Sequence, residues 1–364
     1  RAEGVQVDAV SAGEIERALA AGYEGRADPA GLVFTADVID ETTLALVRAH
    51  GIPVNAGSVD VLHALGAGPG APGHRVWLRI NPGFGHGHSR KTNTGGEQSK
   101  HGIWWEDLAS ALACVRQHRF VLEGLHMHIG SGVDYAHLER VCEAMVQLAE
   151  QAAASGFDLA AVSAGGGLTV PYRGDEIPVD TAHYHASWEA ARLRIAARLG
   201  HPVRLEIEPG RFLVAEAGVL LARVLAVKDM GRNHFVLGDA GFSDLVRPAM
   251  YGGFHAISVV PADGHRPPTV PATLRPTVVA GPLCESGDVF TQDAQGVVEP
   301  RELPPCAVGD LLVFHDAGAY GASMSSNYNS RPLAAEVLVD GPTERLVRRR
   351  QTMRELLALE DDPD

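Results

Sequence analysis

The stretch RLEIEPGRFLVAE, residues 204–216, decides the fold. Arg204-Leu205-Glu206-Ile207-Glu208 alternates as a strand does, with Leu205 and Ile207 on one face and Glu206 and Glu208 on the other. The run stops at Pro209-Gly210, and Arg211 follows at once. Upstream, short β-like runs alternate with helical stretches; downstream, the alternation ends. A carboxylate closing such a strand inside a protein needs a cation, and the arginine beside it needs an anion.

The upstream runs are Val5–Val10, Leu32–Thr35, Ile52–Asn55, Val76–Ile80, Leu122–Ile129, Leu159–Ser163 and Val203–Glu208. Amphipathic stretches such as Ala12–Ala21, Glu41–His50, Tyr135–Ser155 and Ala186–Leu199 lie between several of them. This order predicts a parallel sheet with helical crossovers. Seven runs are one short of an eight-stranded α/β barrel, and the missing first strand is expected before Arg1. An open doubly wound sheet is the competing arrangement. From about residue 216 to 364, runs such as Val219–Val227, His234–Leu237, Thr277–Ala280, Asp310–His315 and Ala335–Val339 are split by Gly/Pro turns. They predict an antiparallel β domain with a short C-terminal helix, Thr352–Leu359. The expected domains are therefore 1–215 and 216–364. The loops Gly66–Gly73 and Pro261–Pro276 are expected at the surface.

The chain has 364 residues, is 45% hydrophobic and carries a formal charge of -14. That charge, with no Lys/Arg run except Arg348-Arg349-Arg350, argues against nucleic acid or an acidic membrane as partner. Cys114, Cys142, Cys284 and Cys306 form no CxxC pair, which fits a reducing cytoplasm. No apolar run is long enough to span a bilayer and no signal peptide is visible.

In an α/β barrel the active site lies at the C-terminal strand ends. Those ends read Asn81-Pro82, HMHIGSG (His126–Gly132), SAGGG (Ser163–Gly167) and EPGR (Glu208–Arg211). Ser131 between two glycines, Gly165-Gly166-Gly167 and Arg211 offer a hydroxyl, close-approaching N–H groups and a guanidinium. Together they suit a phosphate. His126 and His128 share a face of their strand. They could ligate zinc, as in a barrel hydrolase, or one could lie flat on an aromatic ligand while the other is structural. No third and fourth ligand set appears at the other strand ends, and GHGHSRK (Gly85–Lys91) reads as a solvated loop, so no metal is expected. Glu208 suits a protonated ring nitrogen, with a salt bridge to a nearby arginine as the alternative. Phosphate, cationic pyridine and flat histidine together describe pyridoxal phosphate.

Longer segments carry a resemblance. SAGEIERALAAGY (Ser11–Tyr23), FTADVID (Phe34–Asp40), PVNAGSVD (Pro53–Asp60) and LRINPGFGHGHSRKTNTGGEQSKHGIW (Leu78–Trp104) are similar to the diaminopimelate decarboxylases of enteric-type bacteria. So are HMHIGSGVDYAHLE, EIEPGRFLVAEAG, RPAMYG (Arg247–Gly252), GPLCESGDVF (Gly281–Phe290) and DAGAYGASMSSNYNSRP (Asp316–Pro332). The resemblance implies a pyridoxal-phosphate enzyme of the alanine-racemase fold type. It implies a cytoplasmic homodimer with active sites shared between subunits, converting meso-2,6-diaminopimelate to L-lysine and CO2, the last step of lysine biosynthesis. His128 would stack on the ring and Glu208 would pair with its nitrogen. Ser131, Gly165, Gly166, Gly167, Gly210, Arg211 and Tyr320 would hold the phosphate. Arg211, Arg247 and Tyr251, with Tyr320, would grip the substrate. From the other subunit, Glu285 would take the distal ammonium and Cys284 would serve the reaction centre.

The chain departs from the family in one respect. The family's cofactor-bearing lysine matches none of the three lysines Lys91, Lys100 and Lys228, and is expected upstream of Arg1 with the first strand. The alternatives are a decarboxylase of another basic amino acid, a metal-dependent hydrolase using His126 and His128, or an inactive relative that only carries the cofactor. The loop Gly83–Gly96 suits a lid or a fixed excursion equally.

Overall fold

Short parallel strands dominate the first part of the chain in a computed structural model that describes residues 2–85, 93–128, 130, 132, 134–264 and 273–360. The chain forms two compact units, Arg1–Thr169 with Val179–Pro209, and Val170–Pro178 with Gly210–Asp364.

In the first unit, β1 (Val7–Ala9), β2 (Leu32–Ala36), β3 (Val54–Ala56) and β4 (Arg75–Asn81) pair in sequence order. A short β5 (Ile103–Trp104) branches from β4, which also pairs with β6 (Val121–His126). The sheet continues through β7 (Ala161–Ser163) to β8 (Arg204–Glu206), and every pairing in it is parallel. The connections carry α1 (Ala12–Ala20), α2 (Glu41–His50), α3 (Val59–Gly66), α4 (Leu108–His118), α5 (Tyr135–Ala154) and α6 (Thr181–Leu199). Most begin on a capping side chain. Ser11, Asp40, Ser58, Asp134 and Asp180 each accept a first-turn N–H, at Glu14, Thr43, Val61, His137 and His183.

Among the described residues, β1 and β8 are the two ends of the strand order, six steps apart. A flat sheet would separate them by about 29 Å at about 4.8 Å per step. Yet the charge of Glu208, just past β8, raises the carboxyl of Asp8 on β1. Screening would erase that influence over several Debye lengths of about 8 Å each. The sheet therefore curls until its ends approach, as a barrel wall does.

Covered on both faces, β4 buries Val76, Trp77, Leu78 and Ile80, with Arg79 as the one charge among them. Facing it, Gly124 of β6 has no room for a side chain. A Cβ there would lie 2.3 Å from the Ala161 carbonyl oxygen and 2.5 Å from the Trp77 ring. Gly124→Ala should therefore cost about 1–3 kcal/mol by overpacking. A thermal melt should show a fall of several degrees at about 2–4 °C per kcal/mol; an unchanged midpoint would mean that Trp77 can move aside.

The second unit is a six-stranded sheet in the order β11-β14-β9-β10-β12-β13. Its strands are β9 (Leu220–Met230), β10 (Asn233–Gly238), β11 (Ile257–Val260), β12 (Arg275–Ala280), β13 (Arg301–Leu303) and β14 (Leu311–Phe314). The pairings are antiparallel except β10 with β12, which is parallel. The long connection from Gly238 to Arg275 supplies the crossover such a pair requires. Val236, Leu312 and Phe314 are fully buried at its centre, and the Phe290 and Phe314 rings lie 4.2 Å apart. A separate hairpin, β15 (Glu336–Asp340) with β16 (Thr343–Arg348), follows. Helices are short: α7 (Gly210–Val214), α8 (Arg247–Tyr251) and α9 (Met353–Leu357), the last opened by a Thr352–Glu355 capping box. Parts of the loops 83–96 and 261–276 lie outside the described residues.

Candidate cofactor site

In the first unit, strand ends bring the named groups together. His126 is the last residue of β6 and is 1% exposed; its Nε2 lies 2.9 Å from Glu208 Oε1. The side chain that Glu208 meets within the chain is thus the His126 imidazole rather than the arginine weighed from sequence. Burial pushes the Glu208 carboxyl up, but His126, then His128 and Arg79, outweigh it, and the net shift is downward. An ionised carboxylate is therefore held at the mouth of the strands.

His128 follows the strand. Its Nδ1 accepts a 3.1 Å hydrogen bond from the Gly166 N–H, and its carbonyl accepts from Thr94 Oγ1 at 2.9 Å. Burial, helped by Arg79 and His126, lowers its ring to about 4. At neutral pH it is an uncharged, fixed plate. With Nδ1 taken by Gly166 and His126 Nε2 turned to Glu208, these histidines are poorly disposed to share a metal. Among the described residues they belong to no cluster of three ligating side chains.

The glycine run is pressed onto this pair. A Cβ on Gly165 would lie 2.6 Å from His128 Cβ, and one on Gly166 would lie 2.7 Å from the Glu208 carbonyl oxygen. Gly167 has φ 118, and its carbonyl accepts from Gly132 N–H at 3.0 Å, tying the two glycine turns together. Ser131, assigned to the phosphate from sequence, lies outside the described residues. The groups present fit pyridoxal phosphate: an ionised acid for a ring N–H, a neutral plate for the ring, and glycine backbone close enough for an anion.

Two residues of this mouth escaped the sequence reading. Asp8, open to solvent on its edge strand but crowded behind, is raised to about 8 by burial first and the Glu208 charge second, with Thr35 and Arg79 opposing. Arg79 is a buried cation within β4. The available signal was a charge inside an apolar strand, the same signal that marked Glu208.

The second unit holds the arginines. Arg211, on α7, sits 5.2 Å over the Tyr320 ring. The 316–321 turn is fixed against α7, since Gly318 N–H donates to the Ala215 carbonyl at 3.0 Å and Ala317 N–H to Gly218 at 2.8 Å. Tyr320 takes a φ of 61, which a bulky residue rarely adopts unless its surroundings impose it. Arg247 is buried at the start of α8, its guanidinium 4.4 Å from the Tyr172 ring and 6.0 Å from that of Tyr320. Its NH1 donates to His255 Nε2 at 2.8 Å, while His255 Nδ1–H donates to the His315 carbonyl at 2.8 Å. Among the described residues no carboxylate forms an ion pair with Arg247. A buried guanidinium between aromatic faces and a neutral imidazole is a socket for an incoming anion. Tyr172 and His255 were not singled out from sequence. Tyr251 ends α8. Cys284 and Glu285 are exposed; Cys284 N–H donates to Asn329 Oδ1 at 2.9 Å, and no contact joins either to Arg247 among the described residues.

His255 makes the fold acid-sensitive. Burial lowers its ring from 6.5 to about 4, so the stability it lends is complete above pH 6.5 and is lost as pH falls toward 4. His255→Gln should remove about 3 kcal/mol of the stability change between pH 7 and pH 4, at 1.36 kcal/mol per pH unit. Urea unfolding at the two pH values measures it, and equal losses in both proteins would remove His255 as the cause.

The pyridoxal-dependent decarboxylase profile for the pyridoxal binding domain matches residues 1–215. A diaminopimelate decarboxylase of Escherichia coli is 64% identical over 360 residues, spanning 99% of this chain and 84% of that protein. A crystal structure of diaminopimelate decarboxylase superposes with a TM-score of 0.94 at 64% identity, covering 99% of this chain and 84% of the other. That of the Helicobacter pylori enzyme complexed with L-lysine gives 0.82 at 30% identity, covering 98% and 84%. With this curled parallel sheet, its glycine turns and its ionised Glu208, the chain belongs to the diaminopimelate decarboxylases, within the pyridoxal-dependent decarboxylase family.

Proposed function

We propose that this chain decarboxylates meso-2,6-diaminopimelate to L-lysine and CO2 with pyridoxal 5'-phosphate. The observation that carries the substrate is Arg247, a buried guanidinium with no carboxylate partner among the described residues, walled by Tyr172 and Tyr320. The substrate has an amino-acid head at each end, and only one loses CO2. The distal head must be read by charge, and a guanidinium fork reads a carboxylate. When bound, pyridoxal phosphate supplies a protonated pyridine ring that draws electrons from the carbon losing CO2.

The chain's residues divide the rest. Glu208, oriented by His126, holds the proton on the ring nitrogen, and His128 presents its flat face to the ring. Gly165, Gly166, Gly167, Gly210, Arg211, Tyr320 and Ser131 take the phosphate, and two residues of chain, Pro209 and Gly210, separate Glu208 from Arg211. Arg247 and Tyr251, with Arg211 and Tyr320, hold the distal carboxylate. Cys284 returns a proton to the reacting carbon and Glu285 holds the distal ammonium, both reaching a neighbouring subunit's site in a homodimer; their exposure leaves them available for that role. Cys114, Cys142, Cys284 and Cys306 are all free thiols, and on that ground we place the enzyme in the reducing cytoplasm. No helix among the described residues is long and apolar enough to cross a membrane. Purified enzyme supplied with pyridoxal phosphate should release CO2 from diaminopimelate; release from ornithine or arginine instead would overturn the assignment.

A further inference from the structure

A second constellation lies in the first unit, on helices rather than strand ends. His63 occupies the last turn of α3, while Cys114 and His118 stand four residues apart on one face of α4. One ligand atom from each lies within 4.8 Å of the others. His63 Nδ1 is 3.3 Å from His118 Nε2 and 3.6 Å from Cys114 Sγ. A tetrahedral zinc ion with bonds of about 2.0–2.1 Å to nitrogen and about 2.3 Å to sulfur sets its ligands about 3.3 Å apart (N to N) and about 3.6 Å apart (N to S). Two edges of the triangle already have those lengths.

The orientation is also built in. A Cβ on Gly66 would fall 2.1 Å from His118 Nδ1, so the His118 ring lies against the backbone where a side chain would otherwise be. With Nδ1 on Gly66, Nε2 is left facing His63. Cys114 is 4% exposed, which keeps its sulfur from bulk solvent, while the exposed His63 side leaves a fourth position for water. Arg48 already caps the Ala64 and Leu65 carbonyls in the same turn, so affinity must come from the three side chains.

We propose that His63, Cys114 and His118 bind one divalent transition cation of the zinc class, clasping α3 to α4. Loading would convert the Cys114 thiol, which burial keeps protonated, into a bound thiolate and release its proton to solvent.

Cobalt(II) added to chelator-washed holoenzyme is the probe, because its tetrahedral d–d bands lie to the red of the pyridoxal chromophore. One equivalent should produce those bands with a thiolate charge-transfer shoulder, and zinc should displace them. His63→Gln, at an exposed position, should weaken binding at least tenfold with the thermal midpoint of the metal-free protein kept within a few degrees, since even losing an outer-shell partner costs about 10–100-fold. Cys114→Ser should abolish the charge-transfer shoulder. No tetrahedral bands at one equivalent, or bands unchanged by His63→Gln, would overturn the site.

Discussion

Glu208→Gln should leave pyridoxal phosphate bound and lower turnover by about 10²–10³-fold, the usual loss when one preorganised charge is removed from a reacting centre. Glutamine keeps the shape of the side chain that now lies 2.9 Å from His126 Nε2. What it cannot do is stay negative. The protein spends local electrostatics on that charge: burial alone would protonate Glu208, and His126, His128 and Arg79 reverse the shift. A neutral amide no longer favours a protonated ring nitrogen, so the ring draws electrons poorly when CO2 departs. The substitution has a second consequence on Asp8. Its carboxyl, raised in part by Glu208, should fall in the variant. Cofactor absorbance and single-turnover rates, measured together, separate the outcomes. Normal occupancy with slow chemistry supports the role; near-normal turnover would falsify it; lost occupancy would make Glu208 a binding residue instead.

Local pattern carried much of the first unit. RVWLRIN reads as a strand because Val76, Leu78 and Ile80 alternate onto one apolar face, and β4 is buried on both sides although Arg79 and Asn81 share the other face. The run Leu122–Ile129 reads longer than β6, which ends at His126. The chain leaves the ladder there so that His128 can meet Gly166. The helix read from Ala186 begins at Thr181, because the Asp180 side chain accepts from His183 N–H, a cap that hydrophobic spacing does not register. His128 and Glu208 stand out in the sequence as polar residues closing β-like runs, although β6 ends at His126 and β8 at Glu206. Tyr172 and His255 were not. VPYRGDEIP, residues 170–178, sits in sequence among barrel elements yet belongs to the second unit, and no local signal says so. His255 matters only through its bond to Arg247, eight residues away, and such pairings are settled by tertiary packing.

Arg247→Lys should raise KM for diaminopimelate by about 10–100-fold with a smaller change in kcat, the size of one lost charge-assisted hydrogen bond of about 1.5–3 kcal/mol. Charge is nominally conserved, so geometry makes the difference. The guanidinium lies between Tyr172 and Tyr320 and donates to His255 Nε2 at 2.8 Å. A lysine ammonium is a point charge, cannot present two parallel donors to a carboxylate, and stacks less well on tyrosine. Burial already pulls the Arg247 guanidinium below the ordinary arginine value. The same burial would also lower a lysine ammonium placed there. Its shorter reach would also leave His255 Nε2 without its donor, adding a stability cost of about 1–3 kcal/mol that a thermal melt would register. The discriminating measurement uses two substrates. If Arg247 reads the distal carboxylate, the KM rise is confined to diaminopimelate, and residual turnover of an amino acid with no second carboxylate is unaffected. An equal rise for both would make Arg247 a support for the fold, and the distal carboxylate would then need another cation.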